Sequence, residues 1–244
     1  MHSADYVEAL RTGTDESLAQ SQGFEWCSAI WPMAVHSTAG VIAATDSALA
    51  DGVAGSLSSG LHHAKPDRGD GFCTVNGLAI AAERLVANGE RVVILDLDAH
   101  CGGGTAAMIG THSLSDSVRH FDLSTDTFDG YDNVRPDDRL VVVRRGDDAY
   151  IEAVEHMLDE IDWDGTDIVL YNAGVDIHPE FSRLTVTTRE RMVFERAAAE
   201  RTPIAWVLAG GYTTGITMDE LVDLHWQTID AAAAAATPKR KETT

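Results

Sequence analysis

The stretch Arg91-Val92-Val93-Ile94-Leu95-Asp96-Leu97-Asp98-Ala99-His100 decides the fold. From Val92 to Leu95 it is apolar without alternation, the pattern of a strand covered on both faces rather than one. Asp96, Asp98 and His100 follow at its carboxyl end, where chemistry rather than solvation explains ionisable groups. Asp98 and His100 are two residues apart, so on extended backbone they point to one side.

Working outward, the pattern predicts helices over 38–50 and 75–88, the second closed by Gly89, on the amino side of a strand at 91–97. A short helix begins near Thr105, with strands at 118–123 and 140–143 and a helix over 147–161. A strand at 167–173, a helix at 188–201, a strand at 203–209 and a last helix from about Thr217 into the alanines at 231–236 complete the series. Residues 12–22 read as a loop and 237–244 as a polar, frayed tail. Strands alternating with helices predict a three-layer α/β/α domain with a mainly parallel central sheet, over residues 1–236. In such sheets ligands bind beyond the carboxyl ends of strands. Asp96, Asp98, Asp176 and Tyr212 all fall where a predicted strand stops, which assigns them to one shared site.

The bulk numbers bound the function. With 244 residues, 44% of them hydrophobic, the chain can bury one sizeable core. No apolar run approaches membrane-spanning length, and His2, Asp5 and Glu8 are inconsistent with a secretory signal. Cys27, Cys73 and Cys101 form an odd, widely spaced set that fits a reducing, cytoplasmic compartment. The formal net charge of −21 makes nucleic-acid binding improbable and favours cationic ligands. Only Lys65, Lys239 and Lys241 are lysines, and a general compositional bias explains the acidity better than substrate steering does.

Four segments occur in order: Gly60-Leu-His62-His63 through Gly71-Phe72-Cys73-Thr74-Val75-Asn76, then Asp96-Leu-Asp98-Ala-His100, then Tyr171-Asn-Ala-Gly-Val-Asp176, then Leu208-Ala-Gly-Gly211-Tyr212. Together they resemble the zinc-dependent histone deacetylase family of the arginase/deacetylase superfamily, in a short bacterial or archaeal form. The resemblance implies a metal-dependent amidohydrolase that removes an acetyl or other acyl group from a lysine-like or polyamine amine by metal-activated water. It assigns Asp98, His100 and Asp176 as ligands of Zn2+, with Fe2+ the other candidate. His63 becomes general base and then acid, His62 its electrostatic helper, and Asp96 the carboxylate behind His62. Tyr212 would donate a hydrogen bond to the substrate carbonyl. Phe72, Gly71 and Gly211 would line the acyl-lysine channel, with Phe128 or Tyr131 as the other wall. A potassium site is implied at Asp96, Asp98, His100, Asp122 and Leu123. The arginase branch is disfavoured, because its further carboxylates would fall on Gly102 and His178.

Three departures stand out. The family places Asn or Asp at position 103 to pair with the second histidine, and here the residue is Gly103, so the sequence predicts that the partner of His63 is missing and leaves open whether another residue replaces it. His2-Ser-Ala-Asp-Tyr-Val matches a segment that normally lies well inside the domain, which predicts that a preceding strand and helix are absent and that an uncovered sheet edge favours homo-oligomers. The substrate-clamping aspartate of the family should lie within residues 25–32, where Glu25 is the only acidic residue. The second reading is therefore a degenerate member that binds an acylated ligand or partner protein without turnover.

Overall fold

In a computed structural model, described for residues 1–132 and 134–236, the chain forms β1 (Val53–Ser56), β2 (Val92–Asp96), β3 (Val118–Ser124), β4 (Arg139–Val142), β5 (Ile168–Gly174) and β6 (Ile204–Ala209). The six strands make one sheet in the order β1-β6-β5-β2-β3-β4, and every pairing is parallel. The period-two rule explains its layers. Val93, Leu95, Val169, Tyr171, Ile204 and Trp206 face one core cluster, while Val92, Ile94, Ile168, Leu170, Ala205 and Val207 face the other.

The first cluster is closed by α6 (Asp147–Glu160), α7 (Arg183–Glu200) and α8 (Met218–Ala236), and the second by α3 (Ile30–Asp51), α4 (Gly77–Ala87) and α5 (Gly103–Thr111). This is the three-layer α/β/α arrangement the sequence predicts. No described helix is long and apolar enough to cross a membrane.

The expected elements all form, with α3 and α7 starting earlier than predicted. Pro32 lies in the first turn of α3, where its missing N–H has no helical acceptor to lose. Three elements were not anticipated. Tyr6, Ala9 and Leu10 bury one face of α1 (Ala4–Thr12), which Ser3 caps through the Tyr6 N–H. Residues 12–22 are not all loop: Asp15 caps a single turn, α2 (Glu16–Ala19), by accepting from the Leu18 N–H. The edge strand β1 reads Val-Ala-Gly-Ser, with little strand propensity, and exists because β6 templates it. The predicted tail at 237–244 lies outside the described residues.

Candidate metal and acid–base centre

β2 lies between β3 and β5, so the register places Asp96 opposite both Asp122 and Asn172. Asn172 Nδ2 donates to Asp96 Oδ1 at 2.8 Å, and the other oxygen, Oδ2, meets His62 Nδ1 at 2.8 Å. The chain then turns, and the His100 N–H donates to Asp98 Oδ1 at 3.0 Å. Asp176, beyond the end of β5, accepts from the Ala99 N–H through Oδ1 at 3.0 Å. Gly210, with φ +73°, brings the β6 turn so close that a Cβ there would stand 2.5 Å from Asp176 Oδ1.

Asp98, His100 and Asp176 therefore converge. His100 Nδ1 is 3.2 Å from Asp98 Oδ1 and 3.1 Å from Asp176 Oδ2, and one ligand atom from each residue lies within 4.8 Å of the others. Asp176 Oδ2 is buried yet makes no hydrogen bond of acceptable geometry, an orphaned anionic atom aimed at its neighbours. The nearby Asp176 and Asp98 carboxylates push the His100 imidazole up to about 10, while burial and the Asp98 charge raise the Asp176 carboxyl. Two buried carboxylates sharing a single imidazole call for a cation, and one imidazole with two carboxylates is a donor set that fits a divalent metal.

Beside these groups, the His62 and His63 rings lie 3.9 Å apart between centroids, tilted by 39°. Burial opposes the charged form of His62, but Asp96 and Asp98 overcome it and lift the group to about 10. Burial, together with that neighbouring charge, holds His63 below the ordinary imidazole value. Adjacent histidines of opposite protonation result.

Position 103 gives His63 no partner, and the question the sequence leaves open is answered by another residue. Asp129, in the loop after β3, places Oδ2 3.1 Å from His63 Nδ1. The same oxygen accepts from the Gly104 N–H at 2.9 Å, and Oδ1 is 2.7 Å from Lys65 Nζ. A Cβ on Gly103 would overlap the Asp129 carbonyl oxygen and lie 2.6 Å from its Oδ1. Although burial opposes it, His63 and Lys65 keep the Asp129 carboxyl below its usual range.

A cavity of about 600 Å³ opens above the centre, lined by His63, Gly71, Phe72, Phe128, His100 and Tyr212 among others. A smaller one of about 390 Å³ adjoins it and includes Gly211. Phe128 forms the second wall, its ring edge-on to His63 at 5.0 Å and to His100 at 5.9 Å. Tyr131 turns away and bonds His120 Nδ1 through its hydroxyl at 3.2 Å. Tyr212 stands across from the histidines, its ring 6.1 Å from His100, and burial with the charges of Asp98 and Asp176 pushes its phenol up to about 12. Glu25 is exposed and does not line either cavity; Asp126, Glu180, Arg144 and Arg145 stand at the rim instead. Among the residues of the implied potassium site, Asp122 is engaged by the Gly102 N–H at 2.7 Å and the Ser124 hydroxyl at 2.6 Å, and Leu123 is buried beside it.

The Histone deacetylase domain family matches residues 1–131, and an uncharacterized protein of Picosynechococcus is 32% identical over 239 residues, covering 88% of this chain and 75% of that protein. The chain belongs to the histone deacetylase family. Histone deacetylase 2 of Arabidopsis thaliana is 29% identical over 185 residues, which span 71% of this chain and 48% of that one. Acetoin utilization protein AcuC of Staphylococcus aureus is 36% identical over 117 residues, or 43% of this chain and 30% of that protein. The chain thus spans about half or less of these two named relatives. Among solved structures, an acetylpolyamine aminohydrolase from Burkholderia pseudomallei superposes with a TM-score of 0.72 over 96% of this chain and 81% of that one, at 21% identity, a likeness of fold. Family membership carries the coarse chemistry, the deacetylation of amides, in a family whose members depend on a metal.

Proposed function

We propose that the protein, a single domain over residues 1–236, hydrolyses the amide of an acetylated or otherwise acylated amine, either a polyamine or a lysine side chain. The observation that carries the reading is the convergence of Asp98, His100 and Asp176 in one cleft beside His62, paired with Asp96, and His63, paired with Asp129. These three residues would hold the cation, Zn2+ in our reading with Fe2+ the alternative. When bound, it supplies Lewis-acid polarisation of the acyl carbonyl and acidifies water.

The protein's own groups do the rest. Neutral His63 takes one proton of the attacking water as the C–O bond forms and returns it to the nitrogen as the C–N bond breaks. The second water proton passes from the carboxylic acid to the amine, leaving a carboxylate and an ammonium. His62, kept cationic by Asp96, offsets the negative charge that develops nearby. Tyr212 keeps its proton at neutral pH and donates it as a hydrogen bond to the carbonyl oxygen. Phe72 and Phe128 hold the apolar stem of the substrate between them. A potassium ion at the ends of β2 and β3 would rest on backbone oxygens, because Asp122 already has protein donors. The same reading makes the chain a cytoplasmic protein without nucleic-acid or membrane partners, associating into homo-oligomers.

Asp129 beside His63 removes the main ground for a degenerate, ligand-binding role. The zinc-loaded protein should release acetate from N-acetylated polyamines or acetyl-lysine peptides, and Asp176→Ala should abolish turnover. Activity that survives both chelation and that substitution would overturn the reading.

A further inference from the structure

We infer that Asp129 is the positioning residue of His63, replacing from a different loop the support that position 103 cannot give, and that Lys65 holds Asp129 in place. This deepens the hydrolytic reading above and rests on it. Three observations carry it.

The first is the bond itself. Asp129 is an acceptor at Nδ1, so it fixes the tautomer with the proton there and leaves the Nε2 lone pair for the cleft that His63 lines. The second is exchange of space: Asp129 occupies the volume that any side chain at position 103 would need. The third is that the loop is fastened where it must be. The Thr125 and Asp126 N–H groups both donate to the Ala99 carbonyl at 2.8 Å, and the Cys101 N–H donates to the Phe128 carbonyl at 3.0 Å. The segment before Asp129 is thereby tied to the segment that carries Asp98 and His100.

Lys65 completes the arrangement. Its ammonium lies 2.7 Å from Asp129 Oδ1 and 2.7 Å from Asp70 Oδ2, with a side chain 18% exposed. It is the only lysine among the described residues, in a chain that carries just three. A buried carboxylate, Asp129, and a half-buried one, Asp70, flank it, and Asp70 immediately precedes the Gly71–Phe72 wall. The ion pair therefore links the support of His63 to the channel wall.

The test uses the full-length, zinc-loaded protein with acetylated polyamine and acetyl-lysine reporters, together with histidine 15N NMR. Asp129→Ala should lower kcat about 10- to 100-fold, the scale expected for losing a partner that orients a working side chain, while KM stays within about threefold and bound metal is unchanged. Asp129→Asn, which keeps the shape, should recover part of that loss, and Lys65→Met should cost a few-fold. The Nδ1–H signal of His63 should move or broaden in Asp129→Ala but not in the surface control Glu25→Gln. An unchanged kcat with an unmoved Nδ1 signal would overturn the inference, as would loss of activity that tracks loss of metal. Should Asp129→Ala fail to fold, Asp129→Asn carries the same comparison. If the wild-type protein turns over none of these substrates, the hydrolytic reading fails by itself. The NMR arm then decides alone: a moved signal keeps Asp129 as the His63 partner, and an unmoved one discards it.

Discussion

The carbonyl oxygen of Asp129 stands 2.1 Å from where the Cβ of any other residue at Gly103 would have to be. Supplying His63 with the family's amide at position 103 is therefore not a repair. Gly103→Asn should lower kcat at least tenfold and cost roughly 1–3 kcal/mol of stability, the usual range for overpacking. Thermal melting and steady-state kinetics check both. Retained kcat and an unchanged melting temperature would show that the loop yields without consequence.

Metal should stabilise the fold as well as activate it. Titrating zinc into chelator-treated protein to about 100 times its Kd should add about 2.7 kcal/mol. Asp176→Asn, which neutralises the orphaned oxygen, should lose most of that gain. Differential scanning calorimetry with elemental analysis reads it, and equal melting temperatures with and without metal would sink the ligand assignment.

Tyr212→Phe should separate binding from chemistry. Removing one donor to a developing oxyanion typically costs about 10²–10³ in kcat. A hydroxamate inhibitor should still bind within a few-fold, and metal content should not change. Equal losses in kcat and inhibitor affinity would assign Tyr212 to the channel wall alone.

Acid should weaken the fold through His2. Its Nδ1 meets the Lys65 carbonyl at 2.8 Å, and its Nε2 accepts from the Asn76 N–H at 3.0 Å, so only the neutral ring satisfies both. Burial lowers its pKa to about 4, against an ordinary value of 6.5. A depressed folded-state value means the stabilisation is complete above pH 6.5 and is lost as pH falls toward 4. The loss should amount to about 2–3 kcal/mol over that window. Urea midpoints at pH 7.5, 6 and 5 measure it, and His2→Gln should flatten the profile. A slope unaltered by that substitution would place the acid sensitivity elsewhere, for instance on buried His120.

Much of the fold was legible because β2, β5 and β6 carry their burial in their own side chains: uninterrupted apolar runs admit little but a covered parallel sheet. β1 was not, because its Gly55 has no side chain so that the Trp206 indole of β6 can fill that place, and a residue chosen for its neighbour leaves no strand signal of its own. Asp96, Asp98, His100, Asp176 and Tyr212 come together because each sits at or just beyond a strand end. Asp129 was illegible for the converse reason. It lies in a loop without periodicity, 66 residues from His63, and only the empty space at Gly103 points to it. Asn172 and Lys65 lay inside the quoted motifs but had no assigned role, since what they do depends on cross-strand register and loop geometry.

Beneath the centre, Arg189 of α7 is fully buried, pairs with Glu190, and donates from Nη1 to the Leu97 carbonyl at 2.9 Å. Glu190 in turn accepts from the Tyr171 hydroxyl at 2.9 Å. The residue immediately before Asp98 is thus riveted to the helical layer rather than left to solvent. The ordering entropy of that turn is spent once, when the chain folds, and not again at each encounter with a cation. On the proposed ligand assignment, an ion arriving at Asp98 would meet a jaw already set, its grip decided by bond strengths and not by the search for a shape.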